Sequence, residues 1–564
     1  MAMILILGIT ATIVAMQILW CCPSDASQNG NLRLAIIQMA ISADVEVNCQ
    51  KMTQWIDKAA EDQARVVVFP EGAQWVGPED ISKGSDCRNK LANLAREKNM
   101  YIIFGECLPG SKPKEEVQAA RVFGPNGEEI FHYVKHYSVP SSPIPGVFQI
   151  DDIPAGAIIC ADRWLRTVEE LPIQLGAKIS FELSANFEAE WVPDLGWYWY
   201  VARALRNNVW VVFANSAANV NCPGHGHSAV VSPDGTVVAS LPDSREAMLI
   251  CDINPQLATR REAVRRATHP TLQDFWKTGL RMYDGIIPDA NVKISASGQS
   301  AVVTLAATTV TGDLREMTEA IATAKSQNAD LLAFSSRACH PANLAEIQQL
   351  ARQYRICLAV GIRPTEKTEA PYAAIIGEDG SIVTQVFALS NERTPQSKGH
   401  LRNLLFSLKG VPAIVVLEND ILWTEIVELA AVHGVRILVH LNYTEDSSQH
   451  SRQRQLQVWA TAASYQMFSV MTDIQQAALW EDLNPRAERR AVIEGRALPD
   501  PPPVEILSPF SANLIRHTVK RDVIAASQRI PAGLNYFQDR VGLYPGLKAW
   551  LQLGQEYLFP FDSP

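Results

Sequence analysis

Apolar positions along the chain fall into short runs and helical stripes that alternate. Leu32–Met39 (LRLAIIQM) reads as a buried strand. Within Cys49–Gln63, the residues Met52, Trp55, Ile56 and Ala59 recur at helical spacing. Arg65–Phe69 (RVVVF) is a β-branched strand closed by Pro70-Glu71-Gly72. Leu91–Asn99 predicts a helix and Tyr101–Gly105 a strand. Ala119–Phe123 and Ile130–Val134 flank Pro125-Asn126-Gly127, which reads as a hairpin. Ala155–Cys160 is another buried strand, followed by a helix around Thr167–Leu175 and a strand at Lys178–Leu183. Trp197–Arg206 is helical and Val209–Ala214 is a strand. A closing hairpin turns at Pro233-Asp234-Gly235. Strand–helix alternation with hairpins makes the class α/β with a mixed sheet.

The pattern then starts again. Strands are expected at Ala301–Ala306, Leu331–Phe334, Ile356–Val360, Tyr372–Ile376, Ile382–Phe387, Ala413–Leu417, Val435–Leu441 and Met467–Met471. Helices are expected at Leu314–Asn328, Ala342–Tyr354, Trp423–His433 and Gln453–Tyr465. One offset of 258 residues pairs Cys160 with Glu418, Asp162 with Asp420, Gly176 with Gly434 and Asn215 with Asp473. The ends echo too: His269-Pro270-Thr271-Leu272 with Phe275, and Tyr544-Pro545-Gly546-Leu547 with Trp550. A repeat of this length implies two copies of one domain. The expected division is residues 31–284, a linker at 285–298 and residues 299–564, with Pro499–Pro503 a rigid loop inside the second copy.

Composition agrees with two globular domains. The chain has 564 residues, 47% of them hydrophobic and 20% charged. A formal net charge of -10 gives no electrostatic case for nucleic acid. The basic cluster Arg260, Arg261, Arg265 and Arg266 reads as a solvated helix face. The 10 cysteines are scattered, without zinc spacing, so they are expected to be mostly small core residues and no metal site is expected. Met1–Cys22 is an uncharged apolar run that reads as a signal peptide or membrane anchor over residues 1–26, cleavable after Ala26. The product is then secreted, periplasmic or membrane-anchored. The alternative is a start placed ahead of a cytoplasmic protein, since no Lys or Arg precedes the run.

Three strand ends in the first half carry chemistry. Phe69-Pro70-Glu71-Gly72 supplies a carboxylate, Tyr133-Val134-Lys135-His136 a lysine, and Ile158-Ile159-Cys160-Ala161-Asp162 a thiol before a helix. Ligands bind at strand carboxyl ends in open α/β sheets, so the three can converge. A thiol attacks a carbonyl or nitrile carbon as thiolate. A carboxylate can take its proton and return it to the leaving nitrogen. An ammonium, with the backbone N–H of Ala161, can hold the oxyanion. Alone, each residue reads as ordinary surface or core.

Together they resemble the nitrilase, or carbon–nitrogen hydrolase, superfamily. FPEG at 69–72 resembles its glutamate motif, YVKH at 133–136 its lysine motif and IICADRW at 158–164 its cysteine elbow. Ala202-Arg203-Ala204, Asn207, Ala214-Asn215 and Gly226-His227-Ser228 resemble its late helix, strand and closing hairpin. The likeness covers about Leu32 to Trp276. It implies two tandem α-β-β-α sandwich domains for this chain and no metal or cofactor. Glu71 is then the general base, Lys135 the oxyanion stabiliser and Cys160 the nucleophile of a hydrolase for small amides or nitriles, acting through a thioester. Acyl transfer to an amine, and a non-catalytic binding scaffold, are the alternatives. Ala161, Asn186, Phe187 and Trp191 are the expected substrate-binding residues, with the aromatic stretch Glu190–Tyr200 either a pocket wall or a helix start on the core.

Two departures from the family stand out. Residues 136–159 hold no glutamate, only Asp151 and Asp152, with the loop Ser141-Ser142-Pro143 where the family's second glutamate falls. Arg206 replaces the usual glutamate of the late helix. In the second copy Ser336, Ala388 and Glu418 stand where the glutamate, lysine and cysteine stood, so it is expected to be non-catalytic, with Glu418 and Asp420 solvated or salt-bridged. Domains of this family are expected to pair face to face, so the second copy would supply that partner within one chain, with further self-association open.

Overall fold

The computed structural model describes residues 30–551, except 111–115, 140–142, 144, 187–190, 192–195, 219–223, 284–299, 366–371, 391–400, 402, 444–447, 481–515, 519–520, 531 and 543–545. The apolar run at 1–26, the linker at 285–298, Phe187, Glu190, Ser141, Ser142 and Pro499–Pro503 lie outside the described residues.

The first half runs β1 (Leu32–Gln38), α1 (Val45–Glu61), β2 (Val66–Val68), β3 (Gln74–Trp75), α2 (Ile81–Lys98), β4 (Tyr101–Pro109), β5 (Glu116–Phe123), β6 (Glu129–Val134), β7 (Phe148–Ile150) and β8 (Ile153–Ile159). It continues α3 (Arg166–Gln174), β9 (Ile179–Ser184), α4 (Tyr198–Asn207), β10 (Trp210–Asn215), β11 (Ala229–Val231), β12 (Val237–Ser240), β13 (Ala247–Ile253), α5 (Arg261–Thr268) and α6 (Gln273–Tyr283). One sheet has the order β13-β1-β2-β4-β5-β6, with β3 beside β4, and the other β12-β11-β10-β9-β8-β7. Alternate residues of the two sheets, such as Ile36, Val68 and Ile103 against Ile159, Phe181 and Val212, form the dry layer between them. α1 and α2 cover one outer face through Met52, Ile56 and Leu91. α3 and α4 cover the other through Leu171 and Val201. The result is an α-β-β-α sandwich.

The second half contains β14 (Ala301–Thr308), α7 (Leu314–Ser326), β15 (Leu331–Ala333), α8 (Leu344–Tyr354), β16 (Cys357–Ile362), β17 (Tyr372–Ile376), β18 (Ile382–Phe387), β19 (Leu405–Leu408) and β20 (Val411–Leu417). Then come α9 (Thr424–Val432), β21 (Ile437–Leu441), α10 (Ser448–Tyr465), β22 (Phe468–Thr472), β23 (Ala477–Trp480), β24 (Arg516–Thr518), β25 (Val523–Ile530) and α11 (Tyr536–Gly542). Its sheets have the orders β18-β17-β16-β15-β14-β25 and β19-β20-β21-β22-β23-β24, which repeats the topology of the first half.

The halves meet through α3, α4, α9 and α10. Tyr198 stands edge-on to Trp459 with ring centroids 3.7 Å apart. Arg166 reaches the Ala460 carbonyl and the Ser464 hydroxyl, each at 2.9 Å. Trp550 stacks on Phe275 and donates its indole N–H to the Phe275 carbonyl at 2.7 Å. One apolar cluster therefore runs from Trp164 to Leu551 across both halves.

The structure corrects two expectations. Arg266 is not solvated: it is fully buried, bonded to Glu170 at 2.8 Å and Glu425 at 2.6 Å. Arg260 bonds the Ile173 carbonyl and is only half-exposed. The polar run at 260–266 lies against α3 and the second half, whose carboxylates and carbonyls replace water as partners. Cys49 and Cys87, read as core thiols, form a disulfide joining α1 to α2. Cys107, Cys339 and Cys357 are buried thiols, in line with the expectation.

Candidate active site

The site forms where the two sheets of the first half end side by side. β2 stops after Val68, and Gly72, at φ 68°, turns the chain so that Glu71 lies between the layers, 6% exposed. The turn fits against β4 only because Gly105 lacks a side chain: a Cβ there would lie 2.5 Å from Glu71 Cα. Lys135 extends β6, its N–H bonded to the Gln118 carbonyl at 2.8 Å. Its ammonium donates to Glu71 Oε1 at 2.5 Å. The Ala185 N–H, at the end of β9 in the other sheet, donates to Glu71 Oε2 at 3.2 Å. Burial disfavours the Lys135 charge, but Glu71, then Cys160 and Asp162, outweigh it and hold the ammonium above the usual lysine range. Lys135 stays a cation and Cys160 lies within its field.

Cys160 opens a 3-10 turn directly after β8 and adopts φ 44°. That left-handed conformation costs an L-residue roughly 1–3 kcal/mol and persists only where neighbours hold it. Asp162 does the holding. Its carboxylate accepts the Tyr137 N–H at 2.8 Å, the Ile159 N–H at 3.1 Å and the Tyr133 hydroxyl at 2.9 Å. The residues on both sides of Lys135 are thereby tied to the Cys160 turn. Burial pushes the Asp162 carboxyl up to about 6, against Lys135 and these hydrogen bonds.

Asn186 meets the thiol from the end of β9, Cys160 Sγ–H donating to its Oδ1 at 3.3 Å. Arg163 Nη2 donates to the same oxygen at 2.8 Å and Tyr200 is 3.2 Å from its amide nitrogen. Trp191 stacks over His227 at 3.8 Å and faces His225. A small cavity beside Asn186 is lined by Arg163, Trp191, Trp199 and His225. Burial pushes the His225 imidazole down to about 3, so it is neutral there. Of the aromatic stretch, the described residues Trp191, Tyr198, Trp199 and Tyr200 all line the cavity, the last three from the buried start of α4. Ala161 is half-buried on the Cys160 turn.

Sequence reasoning missed Arg163, Glu182, Tyr200, His225 and the anchoring work of Asp162. The Asp162–Asp420 match across the repeat was the one available signal for the last. It also missed Glu116, which the β4–β5 pairing sets opposite Pro109 and whose carboxyl is raised by burial and by Glu71. Asp151 is not the absent second acid. It bonds Arg65 and Tyr101 in the β7–β8 turn, a strand length of about 20 Å from Cys160.

The equivalent turn of the second half keeps the shape without the chemistry. Glu418 has φ 46°. Its carboxylate is held by Ser336 Oγ at 2.9 Å and Arg337 Nε at 3.0 Å, as a salt-bridged residue. Asp420 accepts the Leu389 and Ser390 N–H groups, each at 2.7 Å, and Ala388 is buried. Among the described residues no group of acids, cysteines and histidines is arranged to hold a metal ion.

The carbon–nitrogen hydrolase family model matches residues 33–262, the whole stretch that holds Glu71, Lys135 and Cys160. Residues 33–262 belong to the carbon–nitrogen hydrolase family. An omega-amidase NIT2 from Homo sapiens is 28% identical over 263 residues, covering 42% of this chain and 93% of that protein. A hydrolase in the agr operon of Staphylococcus aureus is 25% identical over 247 residues, covering 40% and 91%. An amidase from Nesterenkonia has 20% identity and a TM-score of 0.35, covering 42% of this chain and 95% of that one. The stretch 33–262 is of the carbon–nitrogen hydrolase, amidase/nitrilase type. Among the described residues no helix is long and apolar enough to cross a membrane.

Proposed function

We propose that the protein hydrolyses a small, uncharged amide or nitrile through a thioester on Cys160. The observation that carries this reading is the buried Lys135–Glu71 pair, 2.5 Å apart, beside a cysteine held at φ 44°. Glu71 takes the thiol proton and the thiolate attacks the carbonyl carbon. Lys135 and the Ala161 N–H stabilise the oxyanion. Glu71 returns its proton to the leaving amine, then takes one from the water that cleaves the thioester. Asn186, Phe187 and Trp191 hold the acyl group. The cavity favours a small acyl group without charge, because Arg163, its charged wall, is already neutralised by Glu182 at 2.5 Å.

Residues 31–284 are the catalytic unit in this reading and 299–564 a family copy that has lost its chemistry and serves as a permanent face-to-face partner. Export is supported by the Cys49–Cys87 disulfide, since such bonds persist in oxidising compartments. A panel of amides, nitriles and ureas, run with the wild type and Cys160→Ala, tests the proposal. Turnover of a small amide by the wild type, lost in folded Cys160→Ala, is expected. Equal turnover by the two would end it.

A further inference from the structure

The Cys160 turn is connected to the second half by an unbroken buried row of alternating charges. Arg163, on the turn itself, donates to Asn186 Oδ1 at 2.8 Å, the oxygen that meets Cys160 Sγ. Arg163 Nη1 pairs with Glu182 at 2.5 Å. Glu182 also binds Arg203, and Arg203 Nε pairs with Glu169 at 2.8 Å. Arg206 bridges Glu169 and Glu170. Glu170 binds Arg266 Nη2 at 2.8 Å, and Arg266 Nη1 binds Glu425 Oε1 at 2.6 Å. Glu425 sits on α9, in the half that lacks the catalytic residues. None of the eight is more than 2% exposed.

Four arginines alternate with four glutamates along this path, a fifth arginine, Arg166, lies 3.9 Å from Glu169, and Glu425 is the one carboxylate of the path that the second half supplies. Without Glu425, the only carboxylate left to Arg266 along this path is Glu170, which it shares with Arg206. In a dry interior water cannot screen the loss, and a buried ion robbed of a partner is strongly destabilised. The remaining carboxylates are shared, Glu170 between Arg206 and Arg266, Glu169 between Arg206 and Arg203. Loss of Glu425 therefore draws Glu170 toward Arg266, loosens Arg206, and propagates by the same sharing toward Arg163 and Asn186. Glu425 is held in place by the Trp276 indole N–H, 2.8 Å from Oε1.

We propose that Glu425 is a positioning residue of the Cys160 site, supplied by the non-catalytic half. It acts through the ion-pair row on Arg163 and Asn186, and so on the orientation of the thiol. The proposal rests on the reading of Cys160 as nucleophile.

The test uses the full chain and two readouts: kcat and KM on one small amide, and the rate at which iodoacetamide alkylates Cys160, located by peptide mass. Glu425→Gln is expected to lower kcat by about ten-fold or more with KM nearly unchanged, the scale of a small misplacement of reacting groups. Alkylation should slow by a similar factor, and Glu425→Asp, which keeps the charge, should recover part of both. Ile426→Ala, a buried cavity mutation on the same helix, should lower the melting temperature and leave both rates at wild type. If Glu425→Gln does not fold, Trp276→Phe removes the N–H that holds Glu425 and should produce the same kcat loss in milder form. Wild-type kcat and alkylation in Glu425→Gln or in Trp276→Phe, or an equal loss in Ile426→Ala, overturns the proposal. A wild-type Cys160 inert to both substrate and iodoacetamide instead overturns the reading on which it rests.

Discussion

Adding one methyl group at Gly105 tests how strictly the Glu71 carboxylate is placed. A Cβ built there lies 2.5 Å from Glu71 Cα, 2.6 Å from the Pro70 carbonyl oxygen and 2.8 Å from Gly72 N. All three are backbone atoms, so no side chain can swing aside. Ordinary contact requires the Pro70–Gly72 turn to retreat by about 1 Å. Glu71 holds Lys135 at 2.5 Å and the Ala185 N–H at 3.2 Å, and a shift of that size breaks at least one of these bonds. Overpacking of this kind costs about 1–3 kcal/mol of stability, and a misplacement near 1 Å costs roughly 100-fold in rate. The second half provides its own control. A Cβ at Gly361 would lie 2.3 Å from the Ser335 oxygen and 2.3 Å from Ser336 Cα, the same collision beside a turn without catalytic residues. Gly105→Ala and Gly361→Ala should lose similar stability in thermal unfolding. Only Gly105→Ala should lose kcat/KM on a small amide, measured well below its melting temperature. Equal loss of activity in the two variants, or wild-type activity in folded Gly105→Ala, would refute the reasoning.

Glu71→Gln should leave a folded protein with kcat reduced by about 100-fold to 10,000-fold, the usual worth of a general base, checked by steady-state kinetics on the same amide. Glu428 is buried at the interface between the halves, where Arg166, Thr167 and Tyr465 face it and Glu170 repels it, and burial pushes its carboxyl up to about 8. A carboxyl raised from 4.5 to about 8 on folding is held protonated, so its stabilisation is full below 4.5 and fades as pH rises toward 8. Glu428→Gln should therefore flatten the decline of melting temperature between those limits and melt above the wild type at alkaline pH. A decline as steep as that of the wild type would show that Glu428 is not its source. Reduction of the Cys49–Cys87 disulfide, or Cys49→Ser, should cost about 2–4 kcal/mol of stability. Peptide mapping without reductant should recover the two cysteines in one cross-linked species, whereas free alkylation of both would contradict the bond.

What was legible in the sequence was local. Glu71, Lys135 and Cys160 each end an apolar strand within a few residues of recognisable turn chemistry, so each could be placed on its own motif. The repeated strand order was legible because the apolar runs recur in register, down to Cys160 and Glu418 sharing a left-handed φ. What failed was long-range pairing. Arg266 looked like part of a solvated basic face because its partners Glu170 and Glu425 lie 96 and 159 positions away. The Cys49–Cys87 bond needs α1 and α2 packed together, and the apolar pattern predicted only the last part of α2, from Leu91. Glu116 lies in a polar stretch without periodicity, and only the β4–β5 pairing brings it toward Glu71. Arg206 replaces a family glutamate, yet sits fully buried between Glu169 and Glu170, so the exchange rewires the ion-pair row and leaves no exposed cation.

The central claim is that Cys160 carries the acyl group during turnover. The most direct measurement is an acid quench of the wild type during turnover of a small amide, followed by intact-mass and peptide-mass analysis. An acyl adduct should appear on the peptide containing Cys160, disappear as substrate is exhausted, and be absent from Cys160→Ala together with turnover. An adduct on another residue, or undiminished turnover in Cys160→Ala, would contradict the account.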